Sequence, residues 1–116
     1  MPTLKLKMAI SGTTPSHSNA LSNDLTHLLE DSINNIIINR EKTSSDTLDI
    51  GTILVAVISS QFAVEALKVI AAWVMKNPTG EISIDEEQNE QIKTLKISGK
   101  GLKADQIEKI IFDALR

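Results

Sequence analysis

Residues 53–58 read Ile-Leu-Val-Ala-Val-Ile, a run that is apolar on every side. Such a run has no flank to turn toward water, so a core, a partner or lipid must enclose it. It belongs to a longer stretch, residues 49–76 (DIGTILVAVISSQFAVEALKVIAAWVMK), whose later part carries a polar stripe at Gln61, Glu65, Lys68 and Lys76. The stretch is expected to form a long central helix broken near Ser59-Ser60, with Ser60 capping the second half. In that half Phe62, Leu67, Val69, Ile70, Trp73 and Val74 make a broad apolar face, and Lys76, Asn77, Pro78 and Gly80 supply the stop.

The flanking segments are more varied. Leu4, Leu6, Met8 and Ile10 alternate with Lys5, Lys7 and Ala9, the period of a half-buried strand, and the two lysines suit an edge position. Residues 11–22 are rich in short polar side chains and read as a polar loop. Ser22 or Asn23 then caps a helix carrying Leu25, Leu28, Leu29 and Ile33, which ends near Asn34-Asn35. Ile36-Ile37-Ile38 reads as a short strand, although the same residues also continue the stripe of Leu29 and Ile33. Residues 41–49 form a polar linker. Residues 81–86 and 93–98 alternate as a hairpin around a loop longer than two residues, with Glu81 and Asp85 near Lys96. Ile107, Ile110, Ile111 and Ala114 recur at the spacing of a C-terminal amphipathic helix. The expected architecture is a single α+β domain over residues 1–116. It comprises a βαβ unit, the long central helix, a β-hairpin and a terminal helix, with a four-stranded mixed sheet covered by helices on one face.

Composition removes several functions. Phe62, Trp73 and Phe112 are the only aromatic residues, so stacking platforms for bases are nearly absent. A net charge of −3 lacks the clustered cations that phosphate backbones require, so no nucleic-acid partner is expected. Without cysteine there is no disulfide, thiolate nucleophile or cysteine-ligated zinc. His17 and His27 stand ten positions apart, and no carboxylate stands at helical spacing beside a second histidine as HExxH would demand, so no metal site is expected. No serine sits in GxSxG, and the carboxylates of residues 85–90 read as a solvated turn, not a shielded acid–base pair. Ser11-Gly12-Thr13-Thr14 lacks the spacing and lysine of a phosphate loop. Neither an enzyme nor a cofactor is expected. Residues 1–12 alternate where a secretory signal would be continuously apolar, so a cytoplasmic location is the default expectation.

Enclosure by lipid is the weaker reading of the central run. A spanning helix needs ~20 mostly apolar residues. Here Ser59, Ser60 and Gln61 interrupt after residue 58, and Glu65 and Lys68 would each cost roughly 2.5–3.5 kcal/mol at bilayer depth. Residues 53–58 nonetheless offer more apolar surface than one face of a small sheet covers, and a subunit interface would absorb the excess. A monomer core and a homo-oligomer interface both satisfy that requirement. The candidate interaction residues are Ile53, Leu54, Val57, Ile58, Phe62 and Trp73. Two alternatives stand beside this one: insertion of the central helices into a membrane, and a small-molecule or nucleotide sensor using the Ser11 to Ser22 loop.

One family has a similar pattern. Asp49, Gly51 and Thr52 introduce the apolar stretch, Leu-Val-Ala-Val-Ile-Ser-Ser follows at residues 54–60, and Ala71-Ala72-Trp73 stands before the helix end. With the hairpin and terminal helix, this resembles the effector-associated constant component family of small bacterial proteins. The resemblance is strongest from Asp49 to Gly99. It implies a non-enzymatic adaptor or regulator in bacterial conflict systems, partnered by an effector, protease or NTPase module. No catalytic residue is implied. Ser60-Gln61 replaces a Pro or Gly common in the family, and Lys76 alone remains of a basic cluster after the tryptophan.

Overall fold

The computed structural model of the 116-residue chain describes residues 3–11, 15–42, 52–78, 80–88 and 90–115. Strands β1 (Thr3–Ser11), β2 (Ile37–Lys42), β3 (Thr52–Ser59), β4 (Glu81–Gln88) and β5 (Gln91–Ser98) join in one sheet ordered β2-β3-β1-β4-β5. Every neighbouring pair is antiparallel. Helices α1 (Pro15–Ser32), α2 (Ala63–Lys76) and α3 (Ala104–Leu115) complete the α+β fold. It follows that β1 and β2 run in the same direction with β3 between them, and β3 and β4 do so with β1 between them. These are two interlocked split β-α-β units, extended by β5 and α3.

The largest departure from expectation concerns residues 52–59, which form strand β3 and not the first half of a long helix. Thr52, Ile53, Val55, Val57 and Ile58 are β-branched, which disfavours helical packing of side chains and suits a pleated surface. The two sides of the run have different neighbours: Leu54, Ala56 and Ile58 pack under the helices, whereas Ile53, Val55 and Val57 lie on the opposite sheet face. A single turn of 3-10 helix, Ser60–Phe62, converts the strand into α2. The break expected near Ser59-Ser60 therefore exists, as a strand-to-helix junction.

Other corrections follow. The sheet has five strands and is wholly antiparallel, not four-stranded and mixed, because the segment expected to be helical supplies the extra strand. Strand β1 lies at the sheet centre, not its edge. Residues 15–22 belong to α1, not to a polar loop: Ser18, Leu21, Ser22, Leu25, Leu29 and Ile33 make one buried stripe in which two serines stand at apolar positions. Residues 12–14 lie outside the described residues, as do residues 43–49 of the expected linker. Strands β4 and β5 are joined by the two-residue connection 89–90, shorter than expected, with Glu90 at φ 67°.

The three helices cover one sheet face. Leu4, Leu6, Met8 and Ile10 of β1, with Leu54, Ala56, Ile58, Ile82, Ile84 and Ile97 of its neighbours, join Leu25, Leu29, Ile70, Trp73, Ile107 and Ile111 in one aliphatic core. Helix α2 approaches the exit of β5 so closely that a Cβ on Gly99 would lie 2.6 Å from the Val74 carbonyl oxygen. At the start of α3, the Lys103 amide donates to Gln106 Oε1 at 2.9 Å, half of a capping box. No described helix is long and apolar enough to cross a membrane.

Candidate interaction face

The sheet face away from the helices carries the alternate residues of each strand, and the register aligns them in rows. One row runs Ile37, Val57, Lys5, Glu87, Ile92 across all five strands. The next runs Asn39, Val55, Lys7, Asp85, Thr94. A third continues Ile53, Ala9, Ser83, Lys96. Read along the strands, the face is striped: Ile53, Val55 and Val57 on β3, Lys5 and Lys7 on β1, then Glu81, Asp85 and Glu87 on β4. Strand β5 adds Ile92, Thr94, Lys96 and Ser98.

The stripes arise from plain strand periodicity. Because side chains alternate, burying Leu4, Leu6 and Met8 under the helices forces Lys5 and Lys7 to the opposite face. Burying Ile82 and Ile84 does the same for Asp85 and Glu87. Lys96 Nζ lies 3.3 Å from Glu81 Oε1, and Thr94 Oγ1 donates to Asp85 Oδ1 at 2.9 Å. Lys5, Lys7, Asp85, Glu87 and Ile92 surround a hollow of about 170 Å³ at the middle of the face. Its lining offers two ammonium and two carboxylate groups beside an aliphatic side chain, a set suited to complementary charges on another surface.

Ile37 and Ile92 are the most exposed large apolar side chains among the described residues, at 60% and 65%. They sit in the same row on opposite edges of the sheet. Strands are ~4.8 Å apart, so about 19 Å separates them. An exposed isoleucine loses ordered-water contact on docking and stabilises a contact by its apolar area.

The six candidate residues from the sequence divide between the two faces. Ile53 and Val57 point to the helix-free face and are partly exposed. Leu54, Ile58 and Trp73 point into the core and are at most 2% exposed. Phe62, in the 3-10 turn, packs part-buried against that core. A continuous apolar run gave no sign of which residues face which way, since that is decided by strand pairing. Lys5, Lys7, Asp85, Glu87, Ile37 and Ile92 were not among the candidates; the alternation of LKLK and ISID carried the signal for three of them, Lys5, Lys7 and Asp85.

Other chemistry is sparse. His17 and His27 are both exposed on α1, and the described residues hold no cluster of three or more groups able to bind a metal. Glu86 is 6% exposed on the helix-side face, directly across the hairpin from Lys93. A second hollow, about 280 Å³, lies between α2 and α3 and is lined mainly by Ala71, Ala72, Met75 and Ala104. Comparison of the chain with protein-family models, characterised proteins and solved structures gives no match.

Proposed function

We propose that this protein is a non-enzymatic docking module, an adaptor or scaffold whose working surface is the helix-free sheet face. The observation that supports this reading is the row Ile37-Val57-Lys5-Glu87-Ile92. It places exposed aliphatic side chains at both ends of a charge pair on one face of the five-stranded sheet. A face on which exposed aliphatic side chains flank a central charge pair suits a protein surface, where the apolar groups supply affinity and the charges supply register. The resemblance over residues 49–99 assigns such a module to bacterial conflict systems, beside an effector, protease or NTPase partner. This face includes Ile53 and Val57 of the central apolar segment, whose Leu54, Ile58 and Trp73 are enclosed by the chain itself.

The test is direct binding of the purified chain to the purified protein encoded beside its gene, measured by calorimetry. Replacing Ile37 and Ile92 together by Asp is expected to weaken binding at least tenfold while leaving thermal stability within about 1 kcal/mol, since both side chains are already exposed. Unchanged affinity in the double variant refutes the assignment of this face.

A further inference from the structure

Resting on that reading, we infer that one occupant of the sheet face is a second copy of this chain, packed face to face about a two-fold axis that runs along the strands midway between β1 and β4. The argument is one of symmetry. Two copies meeting through the same face form an isologous pair, so each stripe must lie over the stripe that the axis selects. An in-plane axis perpendicular to the strands lays β1 on β1 and β4 on β4, setting Lys5 and Lys7 against their own copies and Asp85 and Glu87 against theirs. An axis along β1 sets the lysines against their own copies, and an axis along β4 does so for the two acids. An axis between β3 and β1 lays lysines on Val55 and Val57. Only the axis between β1 and β4 places Lys5 over the partner's Glu87 and Lys7 over the partner's Asp85.

That placement also settles the apolar ends. It lays β5 over the β3 of the second copy, so Ile92 meets Val57 in the same row, with Ile37 of that copy immediately outside. The two most exposed aliphatic side chains of the molecule, on opposite edges of one sheet, are thereby brought together at both ends of the interface. Each central charge then has an opposite charge beside it in its own sheet and another across the interface, a closed ring of alternating sign. Aligned sheet packing, with layers ~10 Å apart, accommodates the arrangement when the axis is tilted about 15° from the mean strand direction, half of the usual ~30° inclination between packed sheets. The contacts nearest the axis, Lys5 with Glu87 and Lys7 with Asp85, are least affected by sheet twist.

The geometry is tested by self-sorting. A chain carrying K5E, K7E, D85K and E87K keeps every opposite-charge pair within its own sheet, so its fold is retained, and it keeps the complementarity of its own two-fold pair. Mixed with the wild-type chain, however, it sets lysine over lysine and acid over acid. Native mass spectrometry of the mixture, with one chain isotopically labelled, is expected to show both homodimers and a mixed dimer at less than a tenth of its statistical share. Statistical mixing overturns the inference, because a pair formed through β5 edges or through α2 and α3 would not sense the swap. A wild-type chain that stays monomeric up to about 1 mM also overturns it. In that case the docking reading is judged separately: partner binding that still depends on Ile37 and Ile92 leaves it standing, and binding indifferent to them removes both.

Discussion

Val57 and Ile58 are adjacent, both β-branched, and separated by the thickness of one sheet. Ile58 is 2% exposed and packs under the helices, opposite Leu4, whereas Val57 stands on the helix-free face between Ile37 and Lys5. Truncating Ile58 to Ala removes three methyl or methylene groups, about 2.4 kcal/mol at 0.8 kcal/mol each. The cavity left in a packed core raises the loss to about 3–4 kcal/mol. Truncating Val57 to Ala removes two such groups from a site that is only partly buried, a loss of about 0.8 kcal/mol. The two variants therefore differ by about 2–3 kcal/mol, a factor of roughly 30–160 in the folding equilibrium. Trp73 is the single tryptophan and is fully buried, so its fluorescence reports unfolding without added probes. Urea titration at low protein concentration, where self-association contributes little, should separate the midpoints by about 1–2 M. Equal midpoints, or a larger loss from Val57, would refute the strand assignment and the two-faced reading of residues 52–59.

Three further outcomes are expected. Gly99→Ala forces a Cβ to within 2.6 Å of the Val74 carbonyl oxygen, so α2 must shift; a loss of about 1–3 kcal/mol in thermal melts is expected, and a neutral result would mean that helix and turn are not in contact. Glu90→Gly removes a non-glycine residue from φ 67° and should stabilise the hairpin by about 1 kcal/mol, whereas a loss would place that residue in another conformation. Ser18 and Ser22 are fully buried with hydroxyls that lack a hydrogen-bond partner, so the double change to Ala should raise stability by about 1–2 kcal/mol in urea titration; a loss above 1 kcal/mol would show those hydroxyls to be bonded.

The α+β class, the helical coverage of one face, β1, the β4–β5 hairpin and the terminal helix were legible because each keeps a clean period of two or of 3.6. Ile107 and Ile111 are fully buried, as their spacing implied, and Lys96 does pair with Glu81. Two segments misled for physical reasons. Residues 53–58 have no polar face, and a continuous apolar run fits an interior strand and a buried helix equally well by pattern. Their β-branched content was the signal that decides the matter. The start of α1 was hidden because Ser18 and Ser22 occupy buried positions, where a hydroxyl looks like loop chemistry. The interaction face was harder to see for another reason. Its rows are assembled from five strands drawn from three parts of the chain, and the order β2-β3-β1-β4-β5 is not written in any local window. Lys5 and Glu87 are 82 residues apart in sequence (87 minus 5) and neighbours in the sheet.

The claim that the helix-free sheet face is where this protein meets others is tested most directly by the chemistry of a single thiol. The chain contains no cysteine, so Ile92→Cys places one reporter on that face, and Lys100→Cys places a control in the exposed turn before α3. Alkylation rates are then measured for both variants as the concentration of the chain, or of its purified partner, is raised. The expected result is a slowing of ten-fold or more at position 92 with no change at position 100. Equal, unchanging rates at both positions under every condition would contradict it.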